Sequence, residues 1–173
     1  PSEQTGPKPL VAGQKIEAHR IRCHGDFHLG QVLYTGKDCI IIDFEGEPAR
    51  PLTERRIKNS PLKDVAGMLR SFHYAVSLCL RRLRKKEFVY PEDDEGYLER
   101  GAQYWYQWIC FAFLSEYLRV AAEKDFLPSD MAHFHILLDA YLLDKAFYEL
   151  RYEIENRPDW VGIPFEGILQ LAD

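Results

Sequence analysis

Apolar positions recur with two different periods along this chain, and the change of period divides it. From residue 19 to 45 the alternation is short. "HRIRC" sets Ile21 and Cys23 on one side and predicts a short strand; "QVLYT" predicts a second strand, "GKD" a tight turn, and the β-branched run "CIIIDF" a third. Between the first two strands lies the polar turn "HGDFH". Beyond Ser60 the period lengthens. Val65, Met68, Leu69, Phe72, Ala75, Val76 and Leu80 fall at helical spacing, with Ser60 as N-cap, Pro61 at the first helical position and the cations of "RRLRKK" at the C-terminal end. The acids of "PEDDEG" interrupt. A helix is expected over 97–124, apolar nearly all round in "YWYQWICFAFL" and so expected at the centre of the core. A third is expected over 130–156, ended by "NRPDW", and a short one over 164–171. A little β followed by much α is an α+β pattern, mainly helical.

The two ends of that frame read differently. Residues 1–18 are polar and rich in Pro and Gly, a linker or arm. The segment "EGEPARPLTERRIKNS" reads as an exposed loop, and its basic run Arg50, Arg55, Arg56 and Lys58 as a phosphate contact, a contact to another lobe, or a solvated face. In the third helix, Tyr141, Lys145, Tyr148 and Tyr152 share one face, with Glu149 beside them. Leu142, Leu143, Ala146, Phe147, Leu150 and Ile154 cover much of the other, which is expected to face the core. Tyrosines with a lysine suit either sugar stacking or an ordinary surface helix.

Composition narrows the class. At 46% hydrophobic and 13% aromatic, the 173 residues can bury a sizeable core in one domain or lobe. A net charge of −5 argues against nucleic acid and leaves a phosphorylated substrate in need of a divalent cation. The four cysteines form no C-x-x-C pair, and reduced thiols in a cytoplasmic protein are expected. The longest apolar run, "WICFAFL", is too short to span a membrane.

The chemistry concentrates in "CHGDFHLGQ". His24, Asp26 and His28 alternate, so a zinc cage is one reading and a polar turn with satisfied histidines another. A third reading takes "IIIDFEGEP" into account. Kinase-type phosphotransfer requires a loop carboxylate that accepts the proton of the attacking hydroxyl and, a few residues on, an amide on the metal. It also requires an Asp at a nearby strand end that bridges metal and phosphates. Asp26, Gln31 and Asp43 fit these three parts.

Taken together, "HGDFHLGQVL", "IIDFEGEPARPLTERRIKNSPLKDVAGMLRSFHYA" and "YLLDKAFYELRYEIENRPDW" resemble the maltokinases, bacterial enzymes of the aminoglycoside-phosphotransferase-like kinase group. They occur alone or fused behind a trehalose synthase domain. The resemblance implies that 19–173 is a kinase-like C-terminal catalytic lobe without its nucleotide-binding N-terminal lobe, inactive in isolation. It implies ATP and maltose as substrates and maltose 1-phosphate as product, with Mg²⁺ as cofactor. Asp26 is then the catalytic base, and Gln31, Asp43 and Glu45 the metal group. Tyr141, Lys145, Tyr148 and His28 are the substrate contacts, with His24 and Asp64 supporting the loop. A related small-molecule kinase, or a non-catalytic assembly domain beside trehalose synthase, are the alternatives.

Overall fold

A computed structural model describes residue 16 and residues 18–48, 50–85 and 96–172. The arm at 1–15 and the acids at 91–95 lie outside the described residues. Two antiparallel strands, β1 (Val32–Tyr34) and β2 (Cys39–Ile41), pair Val32 with Ile41 and Tyr34 with Cys39. Gly36, at φ 90°, and the Thr35 N–H bond to the Asp38 carbonyl (2.9 Å) close the hairpin. Then follow α1 (Leu52–Arg55), α2 (Leu62–Lys85), α3 (Tyr97–Ala121), α4 (Met131–Asn156) and α5 (Gly162–Ala172).

The core forms where α2 meets α4. Leu62, Val65, Ala66, Met68, Leu69 and Phe72 recur every three or four residues and interlock with Phe134, Leu138 and Leu142. Each larger side chain among them contributes roughly 1.5–3 kcal/mol by burial. The ends of both helices are fixed by side chains. Ser60 Oγ accepts from the Leu62 N–H at 3.3 Å, and Asp130 Oδ1 accepts from the Ala132 N–H at 2.8 Å.

Several elements differ from the sequence expectation. "HRIRC" forms no strand of the hairpin; Ile21 makes one bridge to Asn59, with backbone bonds of 2.9 and 3.0 Å. The backbone just ahead of α2 offers that pairing. The loop after β2 contains α1. The helix α3 is not central: Tyr106, Ile109, Phe113 and Tyr117 face the core, whereas Tyr104, Trp105, Trp108 and Phe111 are half or more exposed. Those outer rings pack on one another instead, Tyr104 to Trp108 at 6.0 Å and Trp108 to Phe111 at 5.7 Å between centroids. On α4, Leu142 and Ala146 point inward as expected, but Phe147 and Ile154 are exposed. Glu153 is buried in their place because its Oε1 accepts from the Tyr74 hydroxyl (3.1 Å) and from Arg157 (2.8 Å).

Candidate active site

Gly25 begins the site. Its φ of 89° lies where side chains are strained, and an added Cβ would stand 3.2 Å from the Gly46 Cα. Two glycine-containing loops therefore pack back to back, and the residue after each glycine, Asp26 and Glu47, is delivered to the same cleft.

Two side chains, the half-buried Asp64 and the buried His24, fasten the first loop. Asp64, in the first turn of α2, accepts from the His24 N–H (2.6 Å) and the Gly25 N–H (2.9 Å). His24 Nε2 lies 2.7 Å from the Ile42 carbonyl oxygen, and its ring packs against Phe27 and Phe44. The His24, Asp26, His28 zinc set is not assembled: His24 is committed to Ile42, and no group of three or more His, Cys, Asp or Glu able to hold a metal occurs among the described residues. His28 caps the 3₁₀ turn Leu29–Gln31, its Nδ1 accepting from the Gly30 N–H at 3.1 Å.

That turn brings the amide of Gln31 to Asp43, with Nε2 donating to Oδ2 at 2.9 Å. Asp43 adopts φ 65°, the only positive φ of a non-glycine residue among those described. Such a conformation costs of order 1 kcal/mol or more and persists where its surroundings fix it. Exposed beside Gln31, with oxygen ligands of the kind Mg²⁺ takes alongside phosphates, this pair suits that ion. Glu45, exposed on the next turn of chain, lies 3.8 Å from Arg55.

Asp26 meets α4. Its Oδ1 accepts from Lys145 Nζ at 3.2 Å, and its Oδ2 lies 3.7 Å from His28 Nε2. Burial alone would raise its proton affinity, but His28 and Lys145 outweigh burial and hold the carboxyl well below the usual range. Lys145 also lies 3.9 Å from Glu47 and 5.0 Å from the Tyr148 ring centroid. Burial and a hydrogen bond to Glu47 push the Tyr148 phenol up. Tyr141 shares the small inner pocket with Asp26, Lys145 and Tyr148 but does not line the wider cleft. Asp64 and Lys63 line that pocket too, and burial raises the Tyr141 phenol.

A wider cleft of about 360 Å³ opens from Asp26 along α4, past Ser71, Tyr74, Tyr148, Glu149, Tyr152 and Arg157. Its carboxylates are internally paired: Glu149 with Arg70 (2.7 Å), Glu153 with Arg157, Asp26 and Glu47 with Lys145. Sequence reasoning did not find Glu47, Ser71, Tyr74, Glu153 or Arg157. Only for Glu47 was a signal present, the glycine–acid step of "EGE" that repeats that of "HGD".

No protein-family profile matches the chain. It is similar to the glucosamine kinase of Streptacidiphilus jiangxiensis, 27% identical over 154 residues, which is 87% of this chain and 31% of that protein. A glucosamine kinase of Mycolicibacterium smegmatis is 47% identical over 58 residues, 32% of this chain and 14% of that one. The chain thus spans about a third or less of the curated relatives it matches. Among solved structures, a glucosamine kinase in complex with glucosamine, ADP and inorganic phosphate superposes with a TM-score of 0.69 at 25% identity, over 86% of this chain and 34% of that one. A second crystal form of glucosamine kinase gives 0.66 at 23%, over 87% and 33%. The helical architecture with its small hairpin is therefore similar to part of a glucosamine kinase structure, and the similarity found is to glucosamine kinases, not to maltokinases in particular.

Proposed function

We propose that the protein carrying this chain is an ATP-dependent sugar kinase, and that these residues form its catalytic and acceptor-binding part. The observation that supports it best is Asp26 at the mouth of a cleft of sugar size, on the loop whose continuation carries the hydrogen-bonded Gln31–Asp43 pair. In this reading the acceptor hydroxyl oxygen attacks the γ-phosphorus of ATP. The new O–P bond forms as the bond to the bridging β–γ oxygen breaks, ADP leaves, and the hydroxyl proton passes to Asp26. Mg²⁺, held by Gln31 and Asp43 when bound, supplies positive charge to the phosphates. Asp64 and His24 keep the loop in place, and His28 and Lys145 together keep Asp26 ionised. The cover over the nucleotide comes from further sequence of a protein as long as its relatives.

For the acceptor we propose a neutral sugar, with maltose as the leading case and its anomeric hydroxyl as the nucleophile. The support is the resemblance of "HGDFHLGQVL" and "IIDFEGEPARPLTERRIKNS" to the maltokinases; the cleft itself pairs Glu149 with Arg70 and Glu153 with Arg157, while Asp26 and Glu47 share Lys145. A fused or associated trehalose synthase is the partner that this reading expects. The second reading is glucosamine, favoured by the relatives and by the complex that contains it. ATP-dependent phosphorylation by the full-length protein, measured over maltose, glucosamine, glucose and trehalose, separates them. Preference for glucosamine removes the neutral-sugar reading. Absence of transfer to every sugar, with Mg-ATP binding also absent in a titration, removes the kinase and leaves an assembly domain.

A further inference from the structure

Glu47 has no role in the transfer as described, yet it lines both the inner pocket and the wider cleft and is only 16% exposed. Its place is built by contacts far apart in sequence. Gly46, at φ 80° and buried, abuts Gly25, so the loop carrying Glu47 lies directly against the loop carrying Asp26. Both carboxylates face one ammonium, Lys145 Nζ, at 3.2 Å from Asp26 and 3.9 Å from Glu47. Tyr148 lines the same pocket, where Glu47 adds to burial in raising its phenol, and its ring lies under Lys145. A lysine on a long flexible stem would otherwise collapse onto Asp26 alone and compete with the acceptor hydroxyl for its oxygens.

We infer that Glu47 is a positioning residue for phosphotransfer: it draws Lys145 and Tyr148 to its own side, so that Lys145 takes one oxygen of Asp26 and leaves the other, beside His28, for the acceptor hydroxyl. The inference rests on the kinase reading above. It requires Glu47 to act through Lys145 and not by contact with either substrate.

The test is a double-mutant cycle in the full-length protein, with Glu47→Gln, Lys145→Ala and their combination assayed for sugar phosphorylation at saturating Mg-ATP. Glu47→Gln is expected to lower kcat about 10- to 100-fold, the scale of a misplaced reacting group, with KM for sugar and ATP changed less than about threefold. In the Lys145→Ala background the same substitution is expected to change kcat less than about twofold. Glu47→Asp, which keeps the charge but withdraws it by one methylene, is expected to fall between wild type and Glu47→Gln. It carries the test should Glu47→Gln fail to fold. Unchanged kcat in Glu47→Gln, a loss expressed in KM alone, or equal losses with and without Lys145 overturns the inference while an active wild type keeps the kinase reading. A wild-type protein that phosphorylates no sugar overturns both.

Discussion

Replacing Gly67 by alanine adds one methyl group where α2 touches the Asp26 loop. On an open helix face this exchange stabilises by roughly 0.5–1 kcal/mol, because alanine loses less backbone freedom on folding. At Gly67 the new Cβ would lie 2.6 Å from the Phe27 carbonyl oxygen, where ordinary contact begins at 3.4 Å. Helix and loop must therefore separate by about 0.8 Å, the difference between those two distances. The loop cannot yield freely, since Asp64 holds two of its N–H groups and His24 ties it to Ile42. Overpacking of this kind costs about 1–3 kcal/mol, which exceeds the propensity gain and leaves a net loss of about 1 kcal/mol. Turnover is expected to suffer more. Phe27 adjoins Asp26, and a reacting group misplaced by about 1 Å costs on the order of 10²-fold. Urea unfolding and steady-state phosphorylation of the full-length protein measure the two effects. Gly101→Ala on α3 is the control: nothing lies within 4 Å of the added Cβ, so it is expected to stabilise. A Gly67→Ala protein that gains stability as Gly101→Ala does and keeps full turnover would refute the contact and the reasoning built on it.

Asp26→Asn is expected to reduce sugar phosphorylation by several orders of magnitude while Mg-ATP affinity, read by calorimetry, changes little; retained turnover removes Asp26 from proton acceptance. Arg70→Met leaves Glu149 buried without its cation and is expected to cost about 3–5 kcal/mol in urea unfolding, with Arg70→Met/Glu149→Leu recovering most of it. His73 is buried, and burial together with Arg70 lowers its ring from 6.5 to about 4. The unfolded chain then binds the proton first, so stability is lost as pH falls from 6.5 towards 4, by up to about 3 kcal/mol at 1.36 kcal/mol per pH unit. Stability curves of wild type and His73→Gln that run parallel over that window contradict the assignment.

The sequence signals that survived are local. Ser60 marks a helix start because a capping side chain reaches only two residues, and Lys145, Tyr148 and Tyr152 line one cleft because helical periodicity alone puts them on one face. Signals failed where a partner decides the outcome. The alternation of "HRIRC" marks an extended segment but cannot choose between the hairpin and Asn59. The apolar circumference of α3 reads as burial, yet hydrophobic residues are only preferentially inside, and α3 has one packed face. Glu153 and Glu47 look like solvent carboxylates in sequence. Their burial follows from Tyr74 and Arg157 in one case, and from the Gly25–Gly46 contact in the other.

An ionised, weakly basic Asp26 fits the chemistry proposed for it. A strong base in this position would be partly protonated at neutral pH and would compete for the proton before the phosphoryl group moves. Phosphoryl transfer through a loose transition state places little charge on the attacking oxygen until the O–P bond is nearly made, so the proton is surrendered late and to any well-placed acceptor. Position then matters more than basicity. Lys145 and His28 fix where the carboxylate oxygens stand and keep both free of a proton, at the expense of proton affinity that the reaction does not use. The same argument says why a second carboxylate belongs beside Lys145. With Asp26 alone, the ion pair would tighten and cover the oxygen that has to receive the hydroxyl. With Glu47 sharing the ammonium, the charge that helps keep Asp26 ionised is retained and the approach to it stays open.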